Sequence, residues 1–143
     1  MTVAVENAPY VCILNAKSRE EAITSLVAEL DVDHKVVCDA IMHRERVIST
    51  GIGIGIAIPH AKIAGIDEFN VVIGIVQHEG LDWDAIDHLP VKLIMLICGP
   101  DDRHREYLQL LSKLTKKIKQ ESVRQALFSC KNREEVVKIF EEC

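Results

Sequence analysis

Two nearly continuous apolar runs, FNVVIGIVQ at 69–77 and VKLIMLICG at 91–99, constrain the fold of this chain more than any other feature. Each run is rich in β-branched residues and ends at a glycine or a polar residue, which is the pattern of a β-strand. Because the runs are apolar at almost every position, the side chains on both faces of each strand must be buried against other parts of the chain. Aromatic residues are only 4% of the chain, so that cover is aliphatic. We therefore expect a sheet packed between helices.

The other segments place helices on either side of these strands along the chain. VCILN at 11–15 predicts a first strand, and a short edge strand is expected at Leu81–Trp83. The order strand, two helices, several strands and three helices predicts an α+β fold over residues 1–143. We expect one domain in which helices sandwich a mixed sheet, a three-layer α/β/α arrangement.

The helices are predicted from polar residues that can accept hydrogen bonds at a helix start and from apolar residues at helical spacing. The expected caps are Ser18 with Glu21 as its capping-box partner, Asp33, either Asp101 or Asp102, and Asn132, and another helix is expected at 121–129. The expected apolar stripes are Tyr107, Leu108, Leu111, Leu114 and Ile118 on the third helix, and Val136, Val137, Ile139 and Phe140 on the fifth.

Charge and cysteine content narrow the class of protein. The formal net charge of −5 gives no electrostatic reason to expect a nucleic-acid partner. The basic run at 113–119 has helical spacing, which favours a solvated helix face. No apolar run approaches the roughly 20 residues of a membrane span. The five cysteines are odd in number and include no Cys-x-x-Cys pair, so we expect a cytoplasmic protein with reduced thiols and no membrane insertion.

The segment GIGIGIAIPHAK at 51–62 alternates glycine with isoleucine and then places proline before histidine. In a continuous strand, the isoleucines at 52, 54, 56 and 58 would share one face, and the glycine side would admit another backbone closely. Three glycines weaken a strand, so we expect the first half to be a loop. The spacing matches neither G-x-G-x-x-G nor a P-loop, which argues against nucleotide binding.

Pro59 makes the position of His60 informative. Proline fixes its own φ and favours an extended residue before it, so we expect His60 just past a strand end, where a side chain reaches a surface cleft. His104 begins a predicted helix, and helix starts favour anions. Two imidazoles and the guanidinium of Arg44, or of its neighbour Arg46, are groups suited to binding a phosphoryl group. One imidazole would be the nucleophile, the other would donate a hydrogen bond, and the guanidinium would neutralise charge. The alternative for a lone histidine is an ordinary surface or core position.

RERVISTGIGIGIAIPHAK at 44–62 resembles the active-site signature of phosphotransferase-system enzyme IIA domains of the fructose, mannitol and nitrogen class. The resemblance covers nearly the whole chain, including SREEAITSLVAEL, GLDWDAIDHLPVKLIMLICGP and DDRHREYLQLLSKLT. It implies the mannitol-type enzyme IIA fold, a mixed sheet between helices. It also implies that His60 accepts phosphate from the histidine phosphocarrier protein, that His104 stabilises the phosphoryl group, and that Arg44 neutralises its charge. Ile54 stands where many members carry a polar residue.

The resemblance leaves two functions open. In the first, the chain is a transferase component of phosphoenolpyruvate-dependent sugar uptake, and His60 passes its phosphoryl group to a cysteine of a IIB protein or domain. In the second, the chain is a nitrogen-type regulatory module, and the phosphorylation state of His60 controls the binding of target proteins. We predict no cofactor and no metal, because the histidines at 34, 43, 78 and 88 lack the spacing of a zinc site.

Overall fold

The computed structural model describes residues 10–142, which form one mixed sheet with helices on both faces. The strands are β1 (Tyr10–Leu14), β2 (Gly51–Gly53), β3 (Ile56–Ala57), β4 (His60–Ile63), β5 (Asn70–Val76) and β6 (Leu93–Pro100). The helices are α1 (Arg19–Val27), α2 (His34–Val47), α3 (His104–Ile118), α4 (Glu121–Phe128) and α5 (Arg133–Glu142). Among these residues, no helix is long and apolar enough to cross a membrane.

The two apolar runs form the centre of the sheet. β5 and β6 pair antiparallel, from Asn70 opposite Cys98 to Ile75 opposite Leu93. β1 lies parallel to β5 on one side, while β3 and β4 both lie parallel to β6 on the other. Every residue of β6 is buried, which confirms that the central strands are covered on both faces.

Side chains that alternate along β5 and β6 enter two separate aliphatic cores. One core lies under α1 and α2 and contains Ile23, Leu26, Ile41, Val72, Ile94 and Leu96. The other lies under α3, α4 and α5 and contains Ile73, Met95, Ile97, Leu110, Leu114, Leu127 and Val136. Burying each such side chain contributes about 1.5–3 kcal/mol relative to leaving it exposed. The three-layer α/β/α arrangement is therefore confirmed.

Three of the predicted helix caps are confirmed and one is wrong. The side chains of Ser18, Asp33 and Asn132 each accept a hydrogen bond from a backbone N–H in the following first turn. In the described chain the residue before α3 is Arg103, and its side chain does not cap the helix. Asp101 and Asp102 lie in a turn before that position, too early to reach the free N–H groups of α3.

Two further expectations need correction. Leu81–Trp83 forms no strand in the described chain, because only Leu81 pairs, as an isolated bridge to Val91. On α3, Leu110 is fully buried in place of Leu108, which is 50% exposed. The rest of the predicted stripe is confirmed, because Tyr107, Leu114 and Ile118 are buried and Leu111 packs against the same core. The side chain of Phe140 lies outside the described residues.

The glycine-rich segment is a paired strand at its start, so the loop predicted there is wrong. β2 pairs antiparallel with β3, with Gly51 opposite Ala57. The glycine allows this packing, because a Cβ on Gly51 would come within 2.8 Å of the Ala85 Cβ and 2.9 Å of its Cα. The close approach expected on the glycine side is therefore confirmed at this residue.

A tight turn between β2 and β3 breaks the alternation of the four isoleucines. Gly53, Ile54 and Gly55 have φ values of 89°, 56° and 80°, all in the left-handed region. Ile56 and Ile58, after the turn, are buried, whereas Ile52 and Ile54 are each 40% exposed. The arrangement with all four isoleucines on one face is therefore wrong.

The register of α3 can be tested with two leucines of the same helix. We expect Leu110→Ala to lower the free energy of unfolding by about 2–5 kcal/mol, because it opens a cavity in a core. Leu108→Ala, the matched control, should change it by about 0.5 kcal/mol, because the side chain is half exposed. Urea denaturation followed by circular dichroism measures both. Equal losses would contradict this register.

Candidate functional site

His60 is the first residue of β4, directly after a break in the strand path at Ile58–Pro59. Pro59 has no N–H to donate, so the ladder cannot continue through it unchanged. Its carbonyl still accepts a hydrogen bond from the N–H of Ile97 at 2.9 Å, which holds the break against β6. His60 therefore lies past the end of β3, as predicted, and also begins a further short strand.

The half-buried ring of His60 is fixed in one tautomer. Its Nδ1 lies 2.7 Å from the carbonyl oxygen of Ile58. A carbonyl oxygen can only accept, so Nδ1 carries the proton and Nε2 keeps its lone pair. Burial lowers the pKa of His60 below its ordinary value of 6.5, the Ile58 bond opposes that shift, and the nearby charge of Arg44 reinforces it. The neutral ring with a free Nε2 lone pair therefore predominates at neutral pH.

Lys62 and Tyr107 link the surroundings of the two predicted histidines. Strand alternation places Lys62 on the same face of β4 as His60. Its Nζ lies 2.9 Å from Nδ1 of His104 and 5.8 Å from the ring centroid of Tyr107. The ring centroids of His60 and Tyr107 are 6.0 Å apart. The structure thus brings His60 and His104 to one region at the start of α3.

The contact with Lys62 also fixes the tautomer of His104. An ammonium group has only donors, so Nδ1 of His104 accepts and its ring proton is on Nε2. His104 is exposed and begins α3, as predicted. The site therefore offers one imidazole nitrogen with a lone pair, on His60, and one imidazole N–H donor, on His104. That pair suits a nucleophile and a hydrogen-bond donor for an anionic group.

Arg44 lies in the last turn of α2 and is half-buried. Its Nη1 donates to the carbonyl oxygen of Ile48 at 2.9 Å, and a guanidinium has five N–H donors in all. The charge of Arg44 lowers the pKa of His60, and it opposes the rise that burial causes in the pKa of Tyr107. The pKa of Glu20 is lowered chiefly by a backbone hydrogen bond and by Arg19, and the charge of Arg46, the alternative cation, makes the smallest contribution to that shift. Arg44 is thus the arginine whose charge acts on the pKa of His60.

A buried carboxylate next to Arg44 fixes the chain where it enters β2. Glu45 is 4% exposed, and it accepts a hydrogen bond from the backbone N–H of Thr50 at 2.9 Å and another from the hydroxyl of Thr50. Nη1 of Arg19 lies 3.8 Å from the same carboxylate. β2 and β3 form an antiparallel hairpin, residues 51–57. The bonds of Glu45 connect the end of α2 to the start of this hairpin, so they fix the position at which the glycine-rich segment begins.

Sequence reasoning missed Lys62, Tyr107 and Glu45. Lys62 carried a usable signal, because a strand beginning at His60 places the second residue along on the same face. Tyr107 was assigned only to a core stripe, which it does join. Glu45 had no local signal, since its partners become neighbours only when the chain folds.

Two of the remaining histidines are hydrogen-bonded to backbone carbonyl oxygens. Nε2 of His34 lies 2.8 Å from the carbonyl oxygen of Leu30, and Nε2 of His78 lies 2.8 Å from that of Ala16. His43 and His88 are exposed. Within residues 10–142 no three or more His, Cys, Asp or Glu side chains are grouped so that they could hold a metal ion.

The whole of this arrangement lies within a known sequence family. The family model of the phosphoenolpyruvate-dependent sugar phosphotransferase system, EIIA 2, matches residues 9–143. The chain is 37% identical over 121 residues to a nitrogen regulatory protein of Escherichia coli (strain K12), covering 83% of this chain and 74% of that protein. It is 30% identical over 134 residues to the fructose-specific EIIABC component of Bacillus subtilis (strain 168), covering 90% of this chain but only 21% of that longer protein.

Solved structures confirm the fold. The crystal structure of nitrogen regulatory protein IIA-Ntr from Neisseria meningitidis superposes with a TM-score of 0.86 at 30% identity, covering 93% of both chains. That of IIA mannitol from Escherichia coli gives a TM-score of 0.71 at 23% identity, covering 98% of this chain and 99% of the other. The expected mannitol-type fold is therefore confirmed.

The tautomer and pKa of His60 can be read by NMR. We expect its ring to titrate below pH 6.5, because burial disfavours the charged form, and the neutral ring to carry its proton on Nδ1. Arg44→Ala should raise the midpoint, because it removes a repelling charge. Long-range ¹H–¹⁵N spectra recorded from pH 8 to pH 5 measure both quantities. A midpoint above 6.5, or a proton on Nε2 of the neutral ring, would contradict the geometry described for this site.

Proposed function

The chain belongs to the EIIA 2 family of the phosphoenolpyruvate-dependent sugar phosphotransferase system, and on that premise we propose that His60 accepts and hands on a phosphoryl group. The donor is a histidine phosphocarrier protein, and the intermediate is a phosphohistidine on Nε2. The observation that carries the proposal is the hydrogen bond from Nδ1 of His60 to the Ile58 carbonyl. It keeps the reactive nitrogen unprotonated and directed away from the backbone.

The transfer step balances with these groups alone. The Nε2 lone pair of His60 attacks phosphorus, the new N–P bond forms, and the N–P bond of the donor phosphohistidine breaks. The bonding pair of that broken bond returns to the donor imidazole nitrogen. The His60 ring gains positive charge during the step, and the Nδ1–H bond to the carbonyl oxygen of Ile58 stabilises that charge. The lowered pKa supports the same role, because the ring is neutral before attack.

Three groups are proposed to bind the phosphoryl oxygens. Arg44 and Lys62 supply positive charge, and Nε2–H of His104 supplies a hydrogen bond. The 2.9 Å contact between Lys62 and His104 supports a joint role, because it leaves the His104 proton on the outward nitrogen. Each donor stabilises the charge that is redistributed in the transition state of the transfer. We therefore propose that these residues increase the rate of the transfer step.

Partner proteins are proposed to dock on apolar residues around the hairpin. Large apolar side chains are exposed there and define the hairpin surface: Val47, Ile48, Ile52, Ile54, Ile86 and Leu89. Ile56 of the hairpin and His60 both pair with β6, at positions four residues apart, Leu93 and Ile97. At the usual rise of a strand, Ile56 and His60 are therefore about 13 Å apart. A typical interface covers about 800 Å² of each partner, a radius of about 16 Å. One partner over His60 therefore reaches the hairpin.

Two onward functions follow from the same chemistry. In sugar uptake, His60 would pass its phosphoryl group to a cysteine of a IIB component. In regulation, the phosphoryl charge would change which target proteins bind. The similarity to IIA-Ntr from Neisseria meningitidis supports keeping the second, and the fructose-specific relative supports the first. Chasing the label from this chain into a IIB protein separates them.

Labelling tests the proposal directly. Incubation with phosphoenolpyruvate, the general phosphotransferase enzyme and the phosphocarrier should add one phosphoryl group, labile in acid and stable in alkali as a phosphoramidate is. His60→Ala should take up none, while His43→Ala, the control at an exposed histidine, should label like the wild type. Intact-mass spectrometry measures the product. Full labelling of His60→Ala would refute the role of His60.

Arg44 and Arg46 form a matched pair of arginines at the end of α2. We expect Arg44→Ala to lower the maximal transfer rate by about a hundredfold, because one charged donor is lost from the phosphoryl site. Arg44→Lys should recover only part of that rate, since lysine lacks the planar fork. Arg46→Ala should stay near wild type, because Arg46 interacts with Glu20 instead of His60. Single-turnover assays at saturating donor measure the transfer rate of each variant. Equal rates for Arg44→Ala and Arg46→Ala would contradict the role proposed for Arg44.

A further inference from the structure

The tip of the hairpin holds a strained residue that packing does not explain. Ile54 has a φ of 56°, which is a genuine outlier for a β-branched residue and is ordinarily left to glycine. Its side chain is 40% exposed, so no core requires isoleucine at this point. Strain of this kind persists only where surrounding bonds hold it, and it marks functional positions.

The bond that holds Ile54 comes from the loop between β5 and β6. Oδ2 of Asp87 accepts the N–H of Ile54 at 2.9 Å, and Oδ1 of the same carboxylate accepts the N–H of Leu89 at 3.1 Å. These two backbone bonds lower the pKa of Asp87 below its ordinary value of 3.8, so it is ionised at neutral pH. A further bond, from the N–H of Ile86 to the carbonyl of Gly51 at 3.1 Å, ties the loop to β2.

One carboxylate therefore joins two exposed apolar residues that lie far apart in the sequence. Leu89 is 57% exposed and Ile54 is 40% exposed. A bare carboxylate at an interface carries a desolvation cost, but this one already accepts two N–H bonds. The arrangement displays apolar side chains at the cost of backbone strain, which fits a docking contact and does not fit a core.

We propose that Asp87 is a positioning residue that holds Ile54 and Leu89 as one apolar contact for the histidine phosphocarrier protein. The inference rests on the proposed function, and it adds a residue that acts on docking and not on the transfer step. Continuity supports this occupant, because the hairpin leads through β3 into His60, and one footprint spans both.

Transfer kinetics at varied carrier concentration test the proposal. Asp87→Ala should raise KM for the phosphocarrier about fivefold to tenfold and leave kcat within about twofold, as expected when one interface contact is lost. Asp87→Asn should raise KM by less than Asp87→Ala does, because its single amide oxygen can accept only one of the two N–H bonds. Glu79→Gln removes a charge from the same exposed loop and should change neither constant. An unchanged KM in Asp87→Ala, or an equal rise in Glu79→Gln, overturns the proposal.

A double-mutant cycle separates positioning from direct contact. Ile54→Gly relieves the strain, removes the apolar side chain and should raise KM on its own. If Asp87 acts partly through Ile54, adding Asp87→Ala should then raise KM by a smaller factor than it does in the wild-type chain, the remainder coming from Leu89. Full additivity would mean that Asp87 acts independently of Ile54 and would overturn the proposal.

Two further measurements distinguish a failure of the inference about Asp87 from a failure of the proposed function of His60. Binding of the unphosphorylated carrier, followed by NMR shifts, compares wild type with Asp87→Ala without any transfer. Equal affinities overturn the inference about Asp87, whereas a wild-type chain that binds the carrier but takes no label at His60 overturns the proposed function alone. Hydrogen exchange at the Ile54 amide should accelerate in Asp87→Ala. If Asp87→Ala fails to fold, the smaller rise in KM expected for Asp87→Asn tests the proposal, and an unchanged KM in that variant overturns it.

Discussion

The backbone ladder between β6 and the two short strands beside it is the constraint on which the rest of the structure depends. β6 is buried along its whole length, so its hydrogen-bonding edges must be occupied on both sides. β5 fills one edge, and β3 and β4 share the other, with the Pro59 carbonyl bonded across their junction. This sharing ends β3 at Ala57 and begins β4 at His60, with Ile58 and Pro59 between them. The position of the histidine therefore follows from pairing in the centre of the sheet.

Short-range polar bonds then give that position its chemical character. The carbonyl of Ile58 fixes the tautomer of His60, Lys62 fixes that of His104, and buried Glu45 fixes Thr50 at the entrance to the hairpin. Each of these bonds contributes only a small part of the stability of the fold, about 1–3 kcal/mol. Their effect is to hold each polar group at the site in one orientation with a defined hydrogen-bond partner. Because these groups are already oriented before the reaction, they need not reorient during the transfer step. Preoriented groups stabilise the charge of a transition state most effectively.

Much of the fold could be predicted from local pattern, and what could not be predicted depends on distant contacts. The runs at 69–77 and 91–99 gave the central strands because continuous apolar sequence has few alternatives, and the caps at Ser18, Asp33 and Asn132 act within one helical turn. The hairpin at 51–57 was missed because its turn is stabilised by Asp87, 33 residues away. For the candidate site, His60 and Arg44 were predicted with their family motif, whereas Lys62 was identified only from the strand that follows Pro59.

The site draws its members from both sides of the sheet. Arg44 belongs to α2, which covers one core, while His104 and Tyr107 belong to α3, which covers the other. The sheet contributes His60 and Lys62 between them. A chain that has lost either helical layer cannot assemble the full set of charges around the histidine. The phosphoryl transfer that we propose for His60 would therefore need all three layers intact, and labelling at His60 would distinguish intact molecules from partly folded ones.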